Sequence, residues 1–256
     1  MRSDNKRKER IGEVNTNSYG SKMTIIEYKS NKEIVVEFDN GEIIETNYSN
    51  FKKGNIKSSY DISVCGVGYE GLGIYKPKIN NKITESYTTW RNMIKRCYDV
   101  DTQNKQPSYK DCTVAEEWHN YQNFAEWYNK NYYEIDGQRM HLDKDILIKG
   151  NKIYSPETCV FVPQCINALF IKRDVSRGKC LIGVYYDNHN KKYKAQCNDC
   201  NGKRVNLGLF NNEKDAFDKY KVFKESVIKE FANRYVNNIP DDLYVKLVNY
   251  EVDIRD

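Results

Sequence analysis

Residues 181–216 read LIGVYYDNHNKKYKAQCNDCNGKRVNLGLFNNEKDA, and this stretch decides the C-terminal fold. Leu181–Tyr186, Lys192–Cys197 and Arg204–Leu209 are short runs of alternating and β-favouring side chains, which predicts three strands. Asp187-Asn188-His189-Asn190 and Asn198–Gly202 supply the turns between them. Glu213–Tyr235 predicts one helix, capped by Asn211 or Asn212. Ala216, Phe217, Tyr220, Phe223, Val227 and Phe231 lie along one of its faces. A strand's period of two turns Tyr193, Ala195 and Cys197 toward that helix, and Lys192, Lys194 and Gln196 away from it. The same rule points Val205, Leu207 and Leu209 inward and Arg204 and Asn206 outward. One exposed face thus collects Lys192, Lys194, Gln196, Arg204 and Asn206. Cations on such a face suit phosphates and amides suit base edges.

The charge distribution agrees. The chain has 256 residues and a net charge of +5. Residues 172–236 hold 15 Lys/Arg against 8 Asp/Glu, whereas residues 61–171 hold 13 against 14. A basic block inside a folded segment points to a nucleic-acid partner, and the sheet face makes double-stranded DNA the expected one. No run approaches the ~18 apolar residues of a membrane span, so no membrane role is expected. Residues 1–10 are charged without an apolar core behind them, which reads as no signal peptide and a cytoplasmic protein. Its eight Cys are then expected as free thiols. Cys197-x-x-Cys200 lacks a second ligand pair at zinc-ribbon spacing.

Upstream, Met23–Tyr28, Glu33–Phe38 and Glu42–Thr46 predict strands around the hairpin turn Asp39-Asn40-Gly41, with Phe51–Gly54 as a closing turn. Gly66, Gly68, Gly71 and Gly73 read as a linker. No long strand precedes them, no helix follows them directly and no Lys-Ser/Thr closes them, as a phosphate loop requires. Tyr87–Tyr98 and Ala115–Tyr132 predict amphipathic helices, with Trp90, Trp118 and Trp127 as core. Arg139–Ile148 is an alternating strand-like run, Gly150-Asn151 a turn, and Cys159–Val162 a short strand. Pro163 opens a helix through Asn167 to Phe170. Cys97, Cys112, Cys159 and Cys165 are expected inside. The class is α+β in three parts: a small SH3-sized β unit over 11–60, a central module over 85–171, and a sheet packed on one helix over 178–236.

Gly183-Val184-Tyr185, Tyr193-Lys194-Ala195-Gln196, Gly202–Phe210 and Glu213-Lys214-Asp215-Ala216 follow in an order that resembles the Apetala-two / ethylene-response-factor DNA-binding domain. The resemblance covers almost the whole third part. It implies a sheet lying in the major groove, with Tyr185, Lys194, Gln196, Arg204 and Asn206 at or beside contact positions. Plant members carry more Arg and Trp on this face, which implies weaker base discrimination here.

The central module resembles phage HNH endonucleases of the ββα-metal type. The residues that carry this are His141-Leu142-Asp143-Lys144-Asp145, Gly150-Asn151, Ser155–Val162 and Asn167. The resemblance implies a Mg²⁺ or Mn²⁺ ion on Asp143, Asp145 and Asn167. It puts Lys144 at the general-base position, where an ammonium is a poor base, with His141 as the other candidate on the strand face of Asp143. Two functions follow. One is a homing-type endonuclease that cuts duplex DNA with a divalent metal. The other is an inactive HNH scaffold that binds DNA as a regulator or a counter-defence factor, the latter with a protein partner.

Overall fold

The computed structural model describes residues 9–171 and 179–254. The expectation for the charged leader therefore falls mostly on residues outside the described ones, as do residues 172–178 of the basic block. The chain is α+β, and it groups into two compact units. The first takes the described residues up to 130 together with 152–156; the second takes 131–151 and 157 onward. The division falls inside the expected central module.

In the first unit, β1 (Val14–Thr16), β2 (Lys22–Ser30), β3 (Glu33–Phe38) and β4 (Ile43–Thr46) form one antiparallel sheet in sequence order. β1 was not expected, because three residues of mixed polarity show no period. Met23, Ile25, Ile34, Val36 and Phe38 bury one face of this sheet against Phe51 and Ile56. The predicted closing turn is a helix, α1 (Tyr48–Lys53). The Asn47 side chain accepts from the Asn50 amide at its start, and Gly54 ends it with φ 68°. Two buried carboxylates are satisfied locally: Asp61 accepts from Asn17 Nδ2 at 2.6 Å, and Glu42 accepts from Ser58 Oγ at 2.6 Å.

A short hairpin, β5 (Lys78–Ile79) with β6 (Lys82–Ile83), leads into α2 (Glu85–Tyr98) and α3 (Val100–Lys105). β7 (Thr113–Val114) follows. The second predicted helix is broken. A 3-10 turn spans Glu116–His119, and α4 (Tyr121–Asn131) starts afresh after an extended Asn120. The cause lies outside the segment. Tyr69 donates its amide to the His119 carbonyl and accepts from the Tyr121 amide, which draws Asn120 out of helical geometry. A Cβ on Gly71 would stand 2.1 Å from the Asn120 side chain, so this crossing explains one linker glycine. Trp90 and Trp118 are fully buried, with Trp90 Nε1 donating to the Trp118 carbonyl at 2.7 Å.

In the second unit, β8 (Met140–Asp143) ends earlier than the expected strand. Asp143 Oδ1 accepts from the amides of Asp145 and Ile146 at 2.9 and 2.8 Å, and this turn stops the strand. Asp145 is therefore not on a strand face shared with Asp143. β9 (Ile153–Tyr154) belongs to the first unit, where it pairs in parallel with β7. β10 (Val160–Pro163) pairs antiparallel with β8 and leads directly into α5 (Gln164–Asn167) and a 3-10 turn, Ala168–Phe170.

β11 (Val184–Asp187), β12 (Lys192–Asn198) and β13 (Arg204–Phe210) form the predicted antiparallel sheet. α6 (Glu213–Arg234) covers it, with Asn212 as its cap, and α7 (Asp241–Val248) follows. At 22 residues α6 is about 33 Å long. It serves two cores. Ala216, Phe217 and Tyr220 pack on Val184, Ala195 and Cys197 of the sheet. Val227, Ile228, Phe231 and Ala232 pack on Ile146, Val160, Val162 and Ile166, and on Leu243 and Leu247 of α7. The ββα hairpin and the C-terminal sheet thus share one helix. Among the described residues, no helix is long and apolar enough to cross a membrane.

Candidate nucleic-acid interface and the ββα hairpin

Register decides which side chains share the outer face of the sheet. Paired residues of antiparallel strands point the same way. Tyr185 pairs with Lys194, Asp187 with Lys192, Gln196 with Asn206, and Asn198 with Arg204. Lys192, Lys194, Gln196 and Asn198 alternate along β12, so all six expected contact residues stand on one face. The inner face carries Val184, Ala195 and Cys197, which are buried under α6. Lys194 Nζ lies 5.7 Å from the centre of the Tyr185 ring, a cation–π spacing that aligns the two.

One side chain reverses its expected direction. Gln196 pairs with Asn206 and Ala195 with Gly208, so Leu207 is an extra residue in β13. This bulge shifts the alternation by one. Leu207 still packs on the inner core, but Leu209 turns outward opposite Lys194 and is 41% exposed, while Phe210 takes the inward place. The Gly208 amide donates to Asn206 Oδ1 at 3.2 Å, which holds the bulge and leaves the Asn206 amide nitrogen toward solvent.

The outer face has little acid. Asp187, the carboxylate at its edge, is engaged by the turn. It accepts from the His189 and Asn190 amides and from Asn190 Nδ2, and these bonds hold its pKa below the usual value. Lys192, Lys194 and Arg204 are left to give the face its sign.

In the ββα hairpin, His141 pairs with Val162 and Asp143 with Val160. Both valines belong to the core that also holds Ile166 of α5. His141 and Asp143 therefore stand on the side of the hairpin that α5 covers. His141 Nδ1 lies 3.4 Å from Asn167 Nδ2. Burial, and next to it the Asp145 charge, push the Asp143 carboxyl up to about 6. Lys144 is buried, with its Nζ 3.2 Å from Asp145 Oδ2. Its carbonyl accepts from Asn151 Nδ2 at 2.7 Å, a loop contact that the sequence reading had placed only as a turn.

The arrangement brings His141, Asp143 and Asn167 to one side and leaves Lys144 and Asp145 paired in the following turn. For a divalent cation the donor set is thin. One Asp143 oxygen is committed to two amides, and Asp145 faces an ammonium. Among the described residues, no group of three or more His, Cys, Asp or Glu comes together.

Cys197 and Cys200 enter different cores. Cys197 lies under the sheet, and Cys200 lies against Val227, whose carbonyl is 3.7 Å from its sulfur. No described cysteine forms a disulfide, and Cys97, Cys112 and Cys159 are buried.

A lysine that the sequence reading passed over, Lys224, sits on the helix side of the sheet. Only the fold brings it beneath the end of β12. Compared with known protein families, curated proteins and solved structures, the chain finds no match.

Proposed function

We propose that this chain binds duplex DNA by laying the outer face of β11–β13 into the major groove. The observation that carries this reading is the shared direction of Tyr185, Lys192, Lys194, Gln196, Arg204 and Asn206 on one sheet face. A three-stranded sheet fits the major groove, cations there neutralise phosphates, and Gln and Asn pair with base edges. The test is a gel shift of duplex DNA across a salt series. Three phosphate contacts predict a slope of log K against log salt of about −3. Salt-independent binding, or RNA competing as well as duplex DNA, would remove the reading.

A second reading is favoured by the approach of His141 to Asn167 on the ββα hairpin, beside Asp143. In it the chain is a phage-type HNH-like homing endonuclease. Asp143 and Asn167 would meet Mg²⁺ or Mn²⁺, and His141 would stand near the water. The thin donor set and the Lys144–Asp145 pair put this second to a binding protein on a degenerate HNH scaffold, acting as a regulator or counter-defence factor. Incubating supercoiled DNA with Mg²⁺, Mn²⁺ or EDTA separates the two. Metal-dependent nicking that Asp143→Ala abolishes would establish the nuclease. A gel shift with no nicking in any metal would establish binding alone.

A further inference from the structure

A cleft of about 610 Å³ opens at the end of the sheet where β11 begins and β12 ends. That volume lies in the range of small-molecule sites. One wall is a stripe of α6, Tyr220, Lys224 and Ile228, each four residues from the next and so on one face. Gly183 lies flat on the Tyr220 ring; a Cβ there would stand 2.0 Å from a ring carbon. Phe170 and Tyr250 also line it, and their rings meet edge to face with centres 4.9 Å apart. Gln196, Asn198 and Arg204 stand at the strand ends that border the cleft.

Lys224 is the unusual member. Burial lowers its pKa, and among the described residues its titratable neighbour is the Cys197 thiol, which burial pushes up and so keeps neutral. A half-buried ammonium in a cleft lined by aromatic rings and bordered by two amides suits a ligand that is anionic at one end and planar at the other.

We propose that this cleft binds a nucleoside monophosphate group, with the phosphate on Lys224 and Arg204 and the base among the Tyr220, Phe170 and Tyr250 rings, its edge toward Gln196 and Asn198. The group has two sources: a free mononucleotide, or an unstacked nucleotide of DNA lying on the outer face. Tyr185, Gln196 and Arg204 belong to both that face and the cleft. The second source rests on the DNA reading above; the first does not.

The test uses the full chain and dAMP, followed by titration calorimetry. Saturable dAMP binding is expected, with deoxyadenosine and inorganic phosphate each weaker by about tenfold or more. Lys224→Met should weaken dAMP by about tenfold, and Lys224→Arg should restore much of it. Thermal unfolding of both variants checks that the fold persists. No saturable binding of dAMP by the wild type, or equal binding by a folded Lys224→Met, overturns the proposal. A duplex carrying 2-aminopurine then tells the sources apart. A fluorescence rise on binding that dAMP competes away supports the DNA source, and dAMP binding without such a rise supports the free nucleotide. Failure of the gel shift itself would strike the sheet-face reading, and the dAMP titration would still decide the cleft.

Discussion

His141 Nδ1 and Asn167 Nδ2 lie 3.4 Å apart, joining the first strand of the ββα hairpin to the short helix that follows the second. The contact spans 26 residues of chain and exists only because β10 runs antiparallel to β8 and turns straight into α5. It makes the imidazole sensitive to what stands at position 167. Asn167→Ala would remove the amide from beside the ring, so the His141 imidazole resonances should shift while those of His189, in the turn of the C-terminal sheet, hold still. NMR at one pH in EDTA, with the resonance assigned by His141→Asn, reads this directly. Unmoved His141 resonances would mean that the two side chains do not meet in solution.

Asp143 makes the unfolding free energy depend on pH. Its carboxyl is raised to about 6 in the fold, against about 3.9 in an unfolded chain. The folded state therefore holds the proton more tightly. The resulting stability is complete below about pH 4 and is lost as pH rises through about 6. Asp143→Asn keeps an oxygen for the Asp145 and Ile146 amides but removes the titration. Between pH 4 and 7 the wild type should lose about 2 kcal/mol relative to Asp143→Asn, measured by urea unfolding in EDTA. Parallel pH profiles would refute the burial of this group. Asp143→Ala, which strands both amides, should cost about 1–3 kcal/mol at either pH.

The bulge at Leu207 separates two leucines that look equivalent in sequence. Leu209 is 41% exposed, whereas Leu207 packs on the inner core. Leu209→Lys should change stability by no more than about 0.5 kcal/mol, and Leu207→Lys should cost about 2 kcal/mol or more. Equal costs at the two sites would mean that the strand runs without the bulge. Leu209→Lys also adds a cation opposite Lys194 on the outer face, so it should tighten non-specific duplex binding and steepen its salt dependence.

The outer-face side chains should divide by chemistry. Lys194→Ala or Arg204→Ala should weaken binding to all duplex sequences alike and reduce the salt slope by about 1. Gln196→Ala should leave the slope in place and flatten the preference among base pairs. Competition gels with a randomised duplex pool distinguish these effects. A slope unchanged in Lys194→Ala would place the phosphates elsewhere.

Several elements were legible because their causes are local. The period of two along Lys192–Asn198, the Asn212 cap and the Asp39-Asn40-Gly41 turn all act within a few residues. The outer face was legible for the same reason: alternation on one strand assigns Lys192, Lys194 and Gln196 together. Alternation failed where the partner strand intervened. Within Arg204–Phe210 the signal of a bulge is Gly208, which takes a φ of 124°, and the alternation read past it. The break at Asn120 was hidden, since the apolar stripe runs on through Tyr121, Phe124 and Tyr128 while Tyr69, far along the chain, takes the hydrogen bonds. The strand beyond Asp143 was over-extended because an aspartate capping two amides looks, in sequence, like one more alternating polar residue.

The sequence by itself determined the short-range order: which runs are strands, which helix covers the C-terminal sheet, and which of its side chains carry charge. These follow from side-chain period, turn chemistry and capping, whose energies are settled between near neighbours. Tertiary structure decided that α6 is long enough to serve two cores, so that the ββα hairpin and the sheet belong to one unit. It also decided that Lys144 pairs with Asp145, that His141 meets Asn167, and that Lys224 lies beneath the sheet beside Cys197. Each of these depends on residues that approach only when distant segments bury their apolar faces together, and no local pattern encodes the partner found there.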